Sequence, residues 1–254
     1  MLILLPPSEG KTVPRRGGPL DPDTLSFPAL HEPRQAVLAA LVDLCTSGRD
    51  RAAEVLGLGP TQAEAVDRNA LLRSAPTART DRVYSGVLFE ALELATLAGP
   101  ARRRATQWVA ITSGLFGLVR PADRIPAYRL SGDVALPDVG PVSTYWGRRL
   151  DPAVQEAAGR GLVVDLRSST YASFWRPSPV TAPRVVTMRV LHEVDGTRKV
   201  VSHFNKATKG RLVRDLLVSG EAPKDTVRFA DHLLDLGWKV ESDGTRLDVV
   251  VTQL

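Results

Sequence analysis

Three short apolar segments, each followed at once by a small polar turn, constrain the fold of this chain more than any other feature. Residues 2–5, 108–112 and 162–166 are mostly Leu, Ile and Val, and their lengths suit buried strands. The turns after them contain, in order, Ser8 and Lys11, Ser113 and Gly114, and Ser168 and Ser169. Because ligands gather at the carboxyl ends of strands in an α/β sheet, we expect these turns to converge on one cleft.

Helices and hairpins are predicted over most of the remaining sequence. Apolar residues recur at helical spacing over 33–45, and helices are also predicted over about 49–56, 61–71, 208–219 and 226–236. Two β-hairpins are predicted, one from 184–194 and 199–204 around Asp195-Gly196, the other from 238–241 and 247–252 around Asp243-Gly244. The sequence therefore predicts a mixed α/β (α+β) fold, with helices around a mixed sheet. No linker interrupts residues 1–254, which we expect to form a single compact domain.

The composition is that of a globular protein with a modest basic excess. Hydrophobic residues make up 43% and charged residues 24%, which argues against wholesale disorder. The formal net charge is +5, and only six of the 33 basic residues are lysines. Arginine can bind a phosphate through two parallel hydrogen bonds, so a nucleic acid or a phosphorylated ligand is permitted, though not required.

The cellular compartment is predicted from the apolar segment at residues 2–5 and from the number of cysteines. The run at residues 2–5 is too short for a membrane span, so we predict a cytoplasmic protein with no membrane partner. The single cysteine, Cys45, lies among apolar residues and forms no disulfide within the chain. It is interpreted as a small buried hydrophobe, with a reactive thiol as the alternative.

Cationic and aromatic side chains are the candidates for lining the predicted cleft. The positive residues are Arg120, Arg129, Lys206, Lys209 and Arg211, and Arg214 extends the same basic helix. The aromatic residues that can stack on a base or donate a hydroxyl group are Tyr84, Tyr128, Trp146 and Tyr171. The alternative is structural: the rings brace the core, Arg120 and Arg129 pair with Asp123 or another carboxylate, and the basic helix presents a solvated face.

The turn at residues 56–61 reads Leu-Gly-Leu-Gly-Pro-Thr and lies between two predicted helices. Gly57 and Gly59 can adopt a turn that presents backbone N–H groups to a phosphate, as in helix-hairpin-helix modules. We predict that Thr61 caps the second helix, with Glu64 completing a capping box. The alternative is an ordinary helix connection with a glycine C-cap.

Several segments in order resemble the YaaA peroxide-stress protein family. Residues 7–12 read Pro-Ser-Glu-Gly-Lys-Thr, similar to the family's Ser-Pro-Ala-Lys-Thr turn and typical of its more distant branch. Residues 83–86 (Val-Tyr-Ser-Gly) and 113–121 (Ser-Gly-Leu-Phe-Gly-Leu-Val-Arg-Pro) carry the longest part of the signature, which continues to residue 130. Residues 145–147 and 203–211 follow in the expected order, whereas 166–171 lacks the acidic residue that the family has before its tyrosine.

This resemblance implies a single mixed α/β domain with a helix-hairpin-helix element near 49–71 and a positively charged cleft. It also implies binding of double-stranded DNA and a role in protection from peroxide. The residues that we predict to bind DNA or phosphate are Lys11, Gly57, Gly59, Thr61, Arg120, Arg129, Lys206, Lys209, Arg211 and Arg214.

Two functional classes remain open on the sequence alone. In the first, the protein holds the DNA backbone without reading base sequence. In the second, it is an enzyme that acts on a nucleotide or another phosphorylated small molecule in the same cleft. The candidate catalytic residues of the second class are Lys11, Ser8, Ser113, Tyr171 and Lys206. A narrow pocket favours the enzyme, and an open groove as wide as a duplex favours DNA.

Some chemistries have no sequence support. Gly10-Lys11-Thr12 lacks the upstream glycine of a P-loop, because Leu5 stands in its place, and no Gly-x-Gly-x-x-Gly turn occurs. The four histidines are dispersed and have no metal-ligand spacing. We therefore predict no metal site and no cofactor.

Overall fold

The computed structural model describes residues 1–194, 197–199 and 201–252, and within them the main sheet has eight strands. The strands of the chain are β1 (Leu2–Leu5), β2 (Ala78–Arg79), β3 (Val109–Ser113), β4 (Gly117–Val119), β5 (Arg124–Ile125), β6 (Ala135–Leu136), β7 (Gly140–Pro141), β8 (Val163–Asp165), β9 (Val185–Val194), β10 (Thr197–Lys199), β11 (Lys239–Asp243) and β12 (Arg246–Val251). The helices are α1 (His31–Ser47), α2 (Arg49–Val55), α3 (Glu64–Ala70), α4 (Thr80–Val83), α5 (Val87–Leu92), α6 (Gly99–Trp108), α7 (Val142–Gly147), α8 (Leu150–Ala158), α9 (Ser169–Ala172), α10 (Ser202–Ser219) and α11 (Thr226–Asp235).

The sheet is mixed, and its strand order is β11-β12-β9-β8-β1-β3-β4. Strand β10 pairs with the C-terminal end of β9. Strand β1 runs parallel to both neighbours, since Ile3 pairs with Val109 on one side and with Val164 on the other. All four residues of β1 are fully buried. The carboxyl ends of β1, β3 and β8 therefore lie at the same edge of the sheet.

The fold class and the main strands predicted from the sequence are confirmed. The three apolar runs form β1, β3 and β8, and the final hairpin forms β11 and β12 around Asp243-Gly244. The predicted strand at 199–204 is wrong, because β10 ends at Lys199 and helix α10 begins at Ser202. A four-residue repeat at Phe204, Thr208 and Leu212 continues the helical pattern back into this segment. The predicted turn residues Asp195 and Gly196 lie outside the described residues.

Helices α2 and α3 are joined by a glycine C-cap and a short 3₁₀ turn. Gly57 has φ +62°, its N–H donates to Glu54 O at 3.0 Å, and the Leu58 N–H donates to Ala53 O at 2.9 Å. This pair of hydrogen bonds defines a Schellman motif, which needs a left-handed residue at the glycine position. The predicted Thr61 capping box is wrong, since Thr61 lies in the 3₁₀ turn Pro60–Gln62 and α3 begins at Glu64. Pro60 starts the 3₁₀ turn and moves the start of α3 beyond Thr61.

Helix α10 packs closely against helix α5 through Gly210. A Cβ atom placed on Gly210 would lie 2.3 Å from the Leu88 carbonyl oxygen and 2.9 Å from the Ala91 Cβ. Only glycine permits this separation, so the crossing of the two helices depends on this residue. This contact joins helix α10, near the end of the chain, to helix α5 in its first half.

The burial of Cys45 and the length and polarity of the helices bear on two further predictions. Cys45 is buried, as predicted, and burial raises the pKa of its thiol above the ordinary value. Over the described part of the chain, every helix is too short or too polar to cross a lipid bilayer.

Candidate functional site

The turn after β1 is fastened to a segment some seventy residues further along the chain. Lys11 forms an isolated antiparallel bridge with Tyr84, and the Thr12 N–H donates to Val83 O at 2.9 Å. The Ser8 hydroxyl accepts a hydrogen bond from the Ser85 N–H at 3.1 Å and donates to Gly10 O at 2.7 Å. These contacts fix the backbone on both sides of Lys11 and thereby restrict where its side chain can lie.

The Lys11 ammonium group lies against carbonyl oxygens and two aromatic rings. It donates to Ser8 O at 2.8 Å and to Glu9 O at 3.4 Å. Its nitrogen is 4.3 Å from the centroid of the Tyr128 ring and 5.3 Å from that of Tyr84. Burial and, less strongly, the charge of Arg129 lower the pKa of Lys11 to about 7, and the charge of Glu9 partly offsets them. A substantial fraction of Lys11 is therefore an uncharged amine at neutral pH.

A chain of three hydroxyl groups lies behind Lys11. The Tyr84 and Tyr128 hydroxyls are 2.8 Å apart, and the Tyr128 hydroxyl is 2.7 Å from Ser113 Oγ. Ser113 Oγ also accepts a hydrogen bond from the Phe116 N–H at 2.9 Å. Burial raises the pKa of both tyrosines above the ordinary value, so both hydroxyls remain protonated. They therefore act as a neutral, hydrogen-bonded wall of the site.

Arg129 is positioned by Asn69 and directed toward Glu9. The Asn69 side chain donates to Arg129 O at 2.8 Å and accepts from the Arg129 N–H at 2.9 Å. The Arg129 guanidinium pairs with the Glu9 carboxylate at 3.2 Å, and Glu9 is 75% exposed. The carboxylate partner expected for Arg129 is therefore Glu9 and not Asp123, which accepts instead from the Ser26 hydroxyl at 2.7 Å.

Some of these groups line a small cavity, which we name the Lys11 pocket. Its volume is about 10 Å³, room for about one water molecule. Tyr171, from the short helix α9, forms part of its wall and accepts a hydrogen bond from the Gly132 N–H. Burial raises the pKa of Tyr171 to about 12, so its phenol is a proton donor at neutral pH. The residues that line the pocket are Ser8, Glu9, Lys11, Arg129, Leu130, Ser131 and Tyr171.

The end of β8 contributes a buried ion pair. Arg167 donates to both Asp165 oxygens, at 2.9 and 2.7 Å, and also to Tyr171 O and Trp175 O. It holds the loop after β8 and thereby helix α9, which carries Tyr171 into the Lys11 pocket. Ser168 and Ser169 are exposed and are not among the residues that line this pocket.

The other cations predicted for a cleft are distributed differently. Lys209 is buried and donates to Leu166 O at 3.0 Å, whereas Lys206 and Arg211 are exposed. Arg120 donates to Gln107 O and Val109 O, and Arg214 to Leu92 O and Glu93 O. The structure thus brings together Lys11 and Arg129, while Arg120, Lys209 and Arg214 hydrogen-bond to backbone carbonyl groups.

The remaining candidates fall into two groups. Gly57, Gly59 and Thr61 lie together on the exposed turn between α2 and α3. Trp146 is fully buried and donates to Gly114 O at 2.8 Å, so it braces the core. Sequence reasoning missed Asn69 and Ser131, for which no local pattern exists. Glu9 was also missed, although its place two residues before Lys11 in a polar turn was an available signal.

The fold and the pocket together define a mixed α/β protein whose central strand ends in a lysine-bearing turn. A family model described as peroxide stress protein YaaA matches residues 1–233 of this chain. The chain is similar to a UPF0246 protein of Streptomyces coelicolor, with 48% identity over 96% of this chain and 93% of that protein. It is also similar to a UPF0246 protein of Corynebacterium efficiens, with 42% identity over 98% of each chain. The chain belongs to the peroxide stress protein YaaA family.

Proposed function

We propose that this protein is an enzyme that acts on a small phosphorylated molecule bound in the Lys11 pocket. The observation that carries the proposal is the half-buried Lys11 amine, whose pKa of about 7 matches the range in which a side chain exchanges protons at neutral pH. A lysine that serves only as a surface charge is solvated and needs no such environment. Lys11 would act as a base or nucleophile, with the Tyr171 phenol as the proton donor.

The charges around the pocket favour an anionic ligand. Arg129 and Arg68 both disfavour the charged form of Lys11, so positive potential is concentrated at this point. Asn69 holds the backbone of Arg129. The carboxylate that pairs with the Arg129 guanidinium, that of Glu9, is largely exposed. A phosphate group can therefore replace or share the Glu9 contact and bind the planar guanidinium through two hydrogen bonds.

The pocket is much smaller than a typical ligand site. Its volume of about 10 Å³ lies far below the about 300–1,000 Å³ of drug-sized ligand sites. A ligand can therefore place at most one anionic group against Arg129, and only when the exposed Glu9 carboxylate gives up its contact. The Tyr84 and Tyr128 hydroxyls are hydrogen-bonded to each other and both residues are buried, so their rings are not available to stack on a base.

Binding in the pocket is tested by calorimetric titration of the protein with inorganic phosphate, ribose 5-phosphate and AMP at pH 7.5. We expect saturable heat with at least one phosphorylated compound, and its loss in Arg129→Met and Lys11→Met. Lys224→Met, at an exposed position, is the matched control and should bind as the wild type does. Thermal unfolding of each variant verifies that it is folded. The absence of saturable heat with all three compounds in the folded wild type would overturn the proposal.

A second candidate function is binding of the DNA backbone, which two exposed cations favour. Lys206 and Arg211 lie on α10 with their side chains in solvent, and the chain carries a formal net charge of +5. Fluorescence anisotropy with labelled random duplex over a salt series separates this candidate from the first. The DNA candidate predicts binding that weakens with salt and a shallower salt dependence in Lys206→Ala/Arg211→Ala. No binding at low salt would eliminate it and would leave the enzyme proposal intact.

A further inference from the structure

The two outermost strands of the main sheet differ in what covers their free sides. Strand β4 is buried, and beside it the buried Arg34 guanidinium donates to Phe116 O at 3.0 Å and to Leu118 O at 2.6 Å. Strand β11, at the opposite edge, is exposed at four of its five residues. Within the described residues, no strand pairs with the outer side of β11. An open strand edge of this kind can take up a further strand through backbone hydrogen bonds.

The turn between β11 and β12 determines which backbone groups face that open side. Two residues join the strands, and the first of them, Gly244, has φ +63°, which suits a type II′ turn. Asp243 and Arg246 flank this turn as a hydrogen-bonded pair, and such pairs alternate along an antiparallel ladder. The N–H and C=O groups of Val240 and Ser242 therefore point away from β12. In the part of the chain that the structure describes, no other element supplies a backbone partner for them.

We propose that β11 pairs with β11 of a second copy of this chain, antiparallel and about a two-fold axis at Glu241, so that the two main sheets become one. In this register Val240 of each copy lies opposite Ser242 of the other, and each such pair exchanges two hydrogen bonds. Every outward N–H and C=O group of both strands is then satisfied. The inference is independent of the proposed function, because no residue of β11 lines the Lys11 pocket.

The order of charges along β11 matches this register. Lys239, Glu241 and Asp243 alternate along the strand and share one face of the sheet. Lys239 of each copy faces Asp243 of the other, which gives two pairs of opposite charge. Glu241 faces its own counterpart, and each of these carboxylates is neutralised by an Arg198 guanidinium at 2.6 and 2.8 Å. Charges on an edge strand usually deter pairing, so this order favours a second copy of the chain over an unrelated strand.

The partners of these charges within the chain leave both of them at the surface. Lys239 is 3.9 Å from Glu193 and Asp243 is 2.6 Å from Arg246, while the Lys239 and Asp243 side chains are 55% and 76% exposed. Exposed ion pairs of this kind contribute little to stability. Either side chain can therefore turn toward a second chain at small cost.

Sedimentation equilibrium of the full chain at pH 7.5 tests whether the dimer forms. One strand from each copy makes a small interface, so we expect a dissociation constant on the order of 0.1 mM. The average mass should rise from that of one chain toward twice that value between about 0.01 and 1 mM protein.

Charge exchange tests the register. Lys239→Glu places two pairs of negative charges across the interface, and Asp243→Lys places two pairs of positive charges there. We expect each variant alone to dimerise about tenfold more weakly than the wild type. An equimolar mixture of the two variants should recover the wild-type association, because each new charge then faces an opposite charge in the other variant.

The backbone contacts are tested at Ser242. Ser242→Pro removes an outward N–H group and leaves the hydrogen bonds between β11 and β12 intact, so it should abolish dimerisation. Ser242→Thr keeps the N–H group and is the matched control, which should dimerise as the wild type does. Thermal unfolding of each variant verifies that it is folded.

A disulfide bond tests the position of the two-fold axis. Directly opposed residues in a non-hydrogen-bonded pair have Cα atoms about 4.5 Å apart, which suits a disulfide. Oxidised Glu241→Cys should therefore form a covalent dimer, whereas Glu221→Cys, at an exposed position outside the strand, should not. The natural cysteine, Cys45, is buried and common to both variants.

The outcomes decide the inference without reference to the Lys11 pocket. A wild type that keeps the mass of one chain up to the highest concentration would overturn it. A dimer that persists in folded Ser242→Pro, or a mixture of charge variants that associates no better than its components, would show that another surface or register is used and would also overturn it. Calorimetric binding of a phosphorylated compound is expected to be unaffected by Ser242→Pro, so the two proposals fail separately.

Discussion

Lys11 and Tyr128 form a cation–π pair in which the lysine nitrogen lies 4.3 Å from the centroid of the ring. The ring and the carbonyl oxygens of Ser8 and Glu9 favour the charged amine, whereas burial and the nearby Arg129 disfavour it. The second set of effects is larger, because the pKa of Lys11 is lowered to about 7. The charge of this one residue therefore changes within the range of pH in which the folded protein can be studied.

Replacing Lys11 by methionine should stabilise the protein at low pH. The pKa of Lys11 is about 7 in the folded chain and 10.5 as its ordinary value, so the unfolded chain binds its proton more tightly. The wild type is therefore penalised fully below pH 7, and the penalty disappears as the pH rises from 7 to 10.5. We expect Lys11→Met to have a higher free energy of unfolding at pH 6, by on the order of 1–3 kcal/mol, with little difference near pH 10. Urea unfolding at pH 6, 8 and 10 measures this. A difference that does not vary with pH would contradict it.

Gly210→Ala should destabilise the protein despite the higher helix propensity of alanine. On an open helix surface the change would stabilise by about 1 kcal/mol. At this position the new methyl group lies 2.3 Å from the Leu88 carbonyl oxygen, so helices α10 and α5 must separate. We expect the free energy of unfolding to fall by about 1–3 kcal/mol, measured by urea unfolding. Gly48→Ala, where no neighbouring atom lies within 4 Å, is the control and should change stability much less.

The two glycines of the turn between α2 and α3 should respond differently to substitution. Gly57 has φ +62° and caps α2, so Gly57→Ala places a Cβ atom in the left-handed region and should cost about 1 kcal/mol. Gly59 has φ −73° and open space around it, so Gly59→Ala should change the free energy of unfolding by less than about half of that. Thermal unfolding of both variants measures the difference. Equal losses would mean that the Schellman motif does not stabilise this turn.

Removing Arg167 should leave the buried Asp165 carboxylate without its hydrogen-bonded partner. Arg167 and Asp165 are joined by two hydrogen bonds of 2.9 and 2.7 Å, and both residues are buried. We expect Arg167→Met to lower the free energy of unfolding by about 3–5 kcal/mol. Asp165→Asn/Arg167→Met should lose less than the sum of its single changes, because asparagine carries no charge that needs a partner. Urea unfolding of all four proteins gives the coupling, and strict additivity would contradict it.

The sheet was predictable because its signals are local. Each of the strands β1, β3 and β8 lies in a mostly apolar run that is followed by a polar turn, and both features are visible within ten residues. The final hairpin likewise has its Asp-Gly turn at residues 243–244. The boundary at Ser202 was not predicted, because the two valines that precede it in the sequence, Val200 and Val201, are typical of a strand.

The candidate site was predictable only in part. The convergence of Ser8, Lys11 and Ser113 follows from strand ends that share one edge, and the structure places all three there. The bridge from Lys11 to Tyr84 depends on residues far apart in sequence, for which no local pattern exists. The burial of Lys209 had a signal, since Lys209, Leu212 and Leu216 recur at i, i+3 and i+7 and share one face of α10.

The central position of β1 affects how the protein is synthesised. Its two partners begin at Val109 and Val163, so a ribosome releases the apolar segment Leu2–Leu5 long before either partner strand exists. Until then the nascent chain carries an unpaired hydrophobic strand, the kind of segment that chaperones shield. A product of interrupted translation that stops before Val163 retains this strand with one side open, and such fragments are expected to aggregate or to be degraded.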